Sequence, residues 1–93
     1  MDFEWDEAKS DLCFERRGFD FLYVIRALLD ENRVIRADKR FEYGEDRFQM
    51  LGKVDGRVFQ VAFTMRGAVV RIISARKANS REAMEYENGT YQS

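Results

Sequence analysis

Between Arg47 and Lys77 the chain runs RFQMLGKVDGRVFQVAFTMRGAVVRIISARK, three stretches rich in Val, Ile and Phe separated by two glycine-bearing breaks. Short β-branched and aromatic runs bounded in this way predict an antiparallel meander. Asp55-Gly56 is the sharper break, because a two-residue type I′ turn needs positive φ at both central positions and this pair tolerates it. The expected hairpin is Arg47–Val54 with Arg57–Thr64, and Met65-Arg66-Gly67 leads on to a third strand over Ala68–Arg76. Phe59, Val61 and Phe63 share one parity and belong to the core face.

The period changes outside this stretch. Phe3 and Trp5 alternate, as in a brief extra strand. Asp6–Arg17 places Ala8 and Leu12 one helical turn apart among polar residues, and Gly18 stands where a left-handed residue would close a helix. A second helix is marked by Asp20 as cap and by Phe21, Val24, Ile25, Leu28 and Leu29 at three- and four-residue spacing, with Phe19 and Val24 at the positions of a hydrophobic staple. Val34–Phe41 reads as extended or irregular. Asn79 stands three residues before Glu82, the capping-box spacing, so Ala83, Met84 and Tyr86 continue into a short helix before Gly89, and Thr90–Ser93 is expected to be loose. The fold class that follows is α+β: one domain over residues 1–93, an antiparallel sheet meander with two N-terminal helices on one face and one C-terminal helix.

Composition narrows the function classes. With 45% hydrophobic and 35% charged residues the chain is of ordinary soluble type, and no apolar run approaches the ~18 residues a membrane span needs. Met1-Asp2-Phe3-Glu4 lacks the basic start of a signal peptide, and Cys13 has no second cysteine to pair with, so a cytoplasmic location is expected. The net charge of −1 conceals an asymmetry: residues 1–15 carry −5, whereas residues 66–81 carry +5 with no acid among them. A basic segment on an acidic body points to one anion-facing site, unless the two ends neutralise each other in the fold.

The side chains present limit the chemistry further. Without histidine there is no imidazole base, no histidine metal site and no Ser/His or Cys/His pair. The scattered glycines form no phosphate-cradling run, so neither a nucleotide cofactor nor a metal is indicated. Arg76 and Lys77 sit where the last strand hands over to the capped helix, a favourable place for phosphate. A metal-free reaction at phosphate also needs a proton acceptor, for which Lys53, Glu45 and Asp46 are candidates. Against those roles, Lys53 suits an edge lysine and Glu45-Asp46 a solvated turn. Arg66, Arg71 and Arg81 are the further cations available to a phosphate-bearing ligand, and Trp5 could stack on a ring of that ligand or join Phe3 in the core.

Several motifs together resemble the BrnT toxin family: Phe3-Glu4-Trp5-Asp6, Gly18-Phe19-Asp20-Phe21, Arg40-Phe41-Glu42-Tyr43-Gly44-Glu45-Asp46-Arg47-Phe48, Leu51-Gly52, Val54-Asp55-Gly56-Arg57, and Arg71-Ile72-Ile73-Ser74-Ala75-Arg76-Lys77-Ala78 with Arg81-Glu82. The resemblance runs from Asp2 to about Glu87. It implies the ribonuclease half of a bacterial type II toxin–antitoxin pair, with a RelE-like fold, a basic residue at the place of Lys53, and neutralisation by a small DNA-binding antitoxin of the BrnA kind. One departure stands out. Where the family commonly has Lys-His-Gly at the end of its first helix, this chain reads Arg16-Arg17-Gly18. The expectation is an acidic segment of a ribbon–helix–helix antitoxin over Arg76 and Lys77, a heterotetramer with two copies of this chain, and DNA contacted through the antitoxin. The alternative is a catalytically weak antitoxin-binding protein that modulates DNA binding by the complex.

Overall fold

A computed structural model describes residues 1–40 and 42–92. Phe41, at the end of the passage read as extended or irregular, and Ser93, in the tail, lie outside the described residues. The elements are β1 (Asp2–Trp5), α1 (Glu7–Arg17), α2 (Phe21–Val24) continuing into a 3-10 turn (Ile25–Leu29), β2 (Val34–Asp38), β3 (Arg47–Val54), β4 (Arg57–Arg66), β5 (Val69–Lys77) and α3 (Ser80–Glu87). The α+β class stands, but the sheet is larger than the meander. It has five strands in the order β1-β5-β4-β3-β2, and β1 runs parallel to β5, so the sheet is mixed. The second turn also moves: β4 extends through Arg66, and Gly67-Ala68 makes the connection with positive φ at Gly67 alone, the Gly-X order of a II′ turn. Asp55 and Gly56 have φ of 49° and 79°, as the first hairpin required.

Local signals placed the helix ends correctly. Asp6 caps α1 by accepting from Ala8 N, and Gly18 closes it at φ 84°. Asp20 accepts from Tyr23 N at 2.9 Å, and Asn79 and Glu82 complete a reciprocal capping box. The buried face of α1, however, is not the expected one. Ala8 and Leu12 are exposed, while Ser10 and Cys13 turn inward. Ser10 is tolerated there because its Oγ accepts from Phe21 N at 3.0 Å, satisfying one of the open donors of α2.

The helices α1 and α2 and the 3-10 turn cover one face of the sheet, over a core that includes Phe19, Phe21, Val24, Met50, Phe59, Val61, Phe63 and Ile72. The 3-10 turn sits so close to β3 that a Cβ on Gly52 would overlap the Ala27 carbonyl oxygen, with the Ala27 Cβ 3.0 Å away. On the other face α3 covers only a small cluster of Leu51, Val58 and Tyr86. Strand β5 carries a bulge opposite Ala62/Phe63. Val70 and Ile72 face the helices, Ile73 is the extra residue, and the parity then shifts, so that Ala75 and Lys77 face the helices and Arg76 faces away.

Asp30 ties three elements together. Its Oδ2 accepts from Lys53 N at 2.8 Å and from the Tyr86 hydroxyl, and its Oδ1 accepts from Asn32 N at 3.0 Å. Burial opposes its ionisation, yet these bonds outweigh it and hold the carboxyl below its usual range. Burial, and then the bond to Asp30, push the Tyr86 phenol from 10.0 up to about 12. A group raised in the folded state contributes stability below its unfolded value and loses it as pH rises through the folded one. The protein should therefore lose stability between about pH 10 and 12. Tyr86→Phe should be less stable at neutral pH by about 1–3 kcal/mol, for the lost bond to a carboxylate. In denaturant titrations across that window its stability should fall less steeply than the wild type's, and parallel curves would contradict the assignment.

A cationic cleft at the end of the first helix

Arg76 and Lys77, adjacent in the chain, project from opposite faces of the sheet. Arg76 is fully engaged. Its guanidinium makes a bidentate pair with Glu82 at 2.7 and 2.9 Å, which raises its already high pKa. Burial works against the Glu82 charge, but Arg76 and the Asn79 N–H stabilise it, and the carboxyl is held below its usual range. The tight turn from β5 into α3 thus encloses an ion pair.

Most other cations singled out from the sequence have also found acids within the chain. Arg71 donates to Glu4 at 2.6 Å because β1 lies beside β5 in register, Glu4 opposite Arg71. Arg66 and Arg47 share Glu45, at 3.9 and 3.3 Å. Lys53 reaches Glu87 at 3.0 Å and lies against the Tyr86 ring. Asp46 receives the Thr64 hydroxyl on its backbone carbonyl at 2.5 Å. Trp5 faces the helix side opposite Ile72, packs on the core, and donates its indole N–H to Glu7. Arg81 is exposed on the first turn of α3. Glu45 and Asp46 flank the start of β3 and Lys53 lies near its end, so the fold does not gather these candidates around Lys77. The basic segment is largely neutralised at home.

Lys77, like Arg81, has no acidic partner among the described residues, and it opens into a cleft of about 560 Å³. The cleft lies between the last turn of α1, the Gly18–Asp20 link, Tyr23 of α2 and the β3–β4 hairpin. Arg17 and Arg57 line it with Lys77. Among the described residues none of these three side chains makes an ion pair or a hydrogen bond. Two acids are present. Asp55 is committed: Arg26 binds both its oxygens at 3.1 Å and the Tyr23 hydroxyl donates at 2.8 Å, bonds that hold it below the usual carboxylate range. Asp20 uses only Oδ1, to cap α2, and its second oxygen makes no hydrogen bond among the described residues. Aromatic surface completes the site: Phe19 and Phe59 meet edge to face at 4.9 Å, and Phe14, 57% exposed, stands at the rim.

Three unpartnered cations, one half-free carboxylate and an exposed ring can take a phosphodiester and the base attached to it. Of this set, sequence reasoning singled out Lys77 as a cation. Position 17 carried a signal, because the Arg16-Arg17-Gly18 departure falls there. Asp20 was legible as a cap and, with Arg57, as part of the motifs shared with the family, but neither was marked as a site residue, and Phe14 carried no mark at all. Among the described residues no cluster of His, Cys, Asp or Glu could hold a metal ion, and no helix is long and apolar enough to cross a membrane.

No curated protein matches the chain. A family model does match, over residues 5–82: that of the ribonuclease toxin BrnT of type II toxin–antitoxin systems. The matched span runs from the end of β1 into the first turn of α3 and contains every residue of the cleft. The chain therefore belongs to the BrnT family of ribonuclease toxins.

Proposed function

We propose that this protein is a RelE-like endoribonuclease toxin that cleaves RNA without a metal, in the cleft at the end of α1. The observation that carries this reading is that Arg17, Arg57 and Lys77, none of them partnered among the described residues, line one cleft together with Asp20, whose second carboxylate oxygen makes no hydrogen bond among those residues. Asp20 takes the proton of a 2′-hydroxyl as that oxygen attacks the adjacent phosphorus. The bond from phosphorus to the 5′-oxygen breaks, the Lys77 ammonium returns a proton to the leaving oxygen, and the products are a 2′,3′-cyclic phosphate and a 5′-hydroxyl. Arg17 and Arg57 hold the phosphoryl oxygens, where negative charge grows in the transition state. Phe14 offers a stacking surface to a neighbouring base.

The same cations define how the toxin is kept quiet. An antitoxin of the BrnA kind, a ribbon–helix–helix protein acting in the same cytoplasm, inserts carboxylates over Lys77 and its neighbours and excludes phosphate. Because such a protein dimerises, the complex is a heterotetramer that meets DNA through the antitoxin.

Expression without the antitoxin should arrest growth and degrade RNA, with ends of the cyclic-phosphate type, and chelators should not slow cleavage by the purified protein. Strict metal dependence would overturn the chemistry. Charge reversal, Arg57→Glu with Lys77→Glu, should weaken both cleavage and antitoxin binding, and full-strength antitoxin binding by calorimetry would show that the cleft is not what the antitoxin covers. A second reading has its own basis in Arg17, which replaces the histidine common in relatives, and in the acidic pI of ≈ 5.5. In it the cleft binds antitoxin and adjusts DNA binding without turning over RNA, and the growth assay separates the two.

A further inference from the structure

The sheet face opposite the cleft holds an aromatic slot that the chain fills with its own tail. Arg36 of β2 is held in place by donating from Nε to Gln49 Oε1 at 2.8 Å. Its guanidinium carbon lies 3.9 Å from the centroid of the Tyr91 ring. The tip of that ring is contacted as well: the Tyr91 hydroxyl accepts from Gln60 Nε2 at 3.4 Å and donates to Glu82 Oε2 at 3.2 Å. Glu82 is itself fixed by Arg76. A planar cation against the ring and a donor beside an acceptor at its edge make a site of defined chemistry.

The walls and the occupant differ in how firmly they are built. Gln60 and Glu82 are 5% and 7% exposed and stand on β4 and α3. Tyr91 comes from a tail with neither helix nor strand, tied down by Thr90 N to Glu85 O, by Gln92 N to Glu85 Oε1, and by Arg36 to the Gln92 carbonyl. The family match ends at residue 82, so it includes Arg36, Gln49, Gln60, Arg76 and Glu82 and stops short of Tyr91.

We propose that this slot is a binding site for a base of single-stranded RNA, occupied in the free protein by Tyr91, which swings out when RNA enters. A guanidinium plane stacks on a nucleobase as it does on tyrosine. The edge chemistry agrees: uracil, for example, presents O4 to accept from Gln60 and N3–H to donate to Glu82, the two roles the phenol hydroxyl plays alone. The Arg36 guanidinium is oriented by two neutral acceptors, Gln49 Oε1 and the Gln92 carbonyl, which hold its plane for stacking. The site adds an RNA contact on the second face and does not depend on the cleft being catalytic.

The test uses a labelled 2′-O-methyl oligouridine, which lacks the nucleophile for cleavage, and reads binding by fluorescence anisotropy. A self-occupied site lowers apparent affinity by the fraction of time it is open, so Tyr91→Ala should bind about tenfold more tightly. Adding Arg36→Ala should abolish that gain, and an abasic oligomer of equal charge should show none. Unchanged or weaker binding by folded Tyr91→Ala, or an equal gain with the abasic oligomer, would overturn the proposal. Should the variant melt too low to assay, the intact chain decides: saturating oligouridine should move the Tyr91 ring signals in NMR spectra to those of free tyrosine, and signals that stay in place overturn it. A cleavage-competent Lys77→Ala would refute the catalytic cleft and leave this result untouched.

Discussion

Lys77→Ala should reduce RNA cleavage by about 10²–10³-fold, the usual loss when a preorganised charge facing the transition state is removed. The substitution should leave the fold intact, because the side chain is exposed and makes no ion pair or hydrogen bond among the described residues. Arg76→Ala, one residue away, should behave in the opposite way. It strips the buried Glu82 carboxylate of its bidentate partner and should cost on the order of 1–3 kcal/mol of stability, with cleavage per folded molecule little changed. Single-turnover cleavage of a defined RNA, with the folded fraction measured in parallel, separates the two effects. Arg57→Ala and Asp20→Asn test the same site, Asp20→Asn preserving the capping oxygen while removing the base. If Arg76→Ala is inactive while folded and Lys77→Ala is active, the chemistry belongs on the opposite face, where Arg76, Glu82 and Tyr91 meet.

Gly52→Ala should be among the most destabilising single-atom-group additions the protein can receive, at about 3 kcal/mol, the upper part of the range for overpacking. Any Cβ there overlaps the Ala27 backbone carbonyl, and a backbone group of the 3-10 turn cannot swing aside as a side-chain end could. Relief would require lifting Ile25–Leu29 away from β3, which exposes Ala27 and Leu28 and strains the Asp30 bonds to Lys53 N and Tyr86. For a domain of this size the loss corresponds to a fall in Tm of roughly 15 °C. Gly56→Ala is the control. Its φ of 79° penalises any side chain, but nothing lies within 4 Å of the added atom, so only the backbone strain of about 1 kcal/mol should appear. Equal melting temperatures for the two variants would mean that the 3-10 turn yields easily and the close approach carries little energy.

The features legible in the sequence are local. The Asp55-Gly56 turn, the caps Asp20 and Asn79, the closing Gly18 and the parity of Phe59, Val61 and Phe63 follow from backbone preferences and periodicity, which act over a few residues and do not need the rest of the chain. The two helices over one sheet face follow from those marks. The remaining features depend on residues far apart in sequence. The short strand at Phe3 and Trp5 was legible, but its parallel place beside β5 was not, and that place pairs Glu4 with Arg71 and removes a cation from the expected site. Helix α1 buries Ser10 and Cys13 in preference to Ala8 and Leu12 because α2 supplies a donor for the Ser10 hydroxyl, a contact that no helical periodicity encodes. The largest consequence comes from one residue. The bulge at Ile73 reverses the parity of everything after it in β5, sending Arg76 to Glu82 on one face and Lys77 to Arg17 and Arg57 on the other. A period-two reading of Val69–Lys77 carries no sign of that extra residue, because the bulge arises where two paired strands must bend together, and only their pairing reveals it.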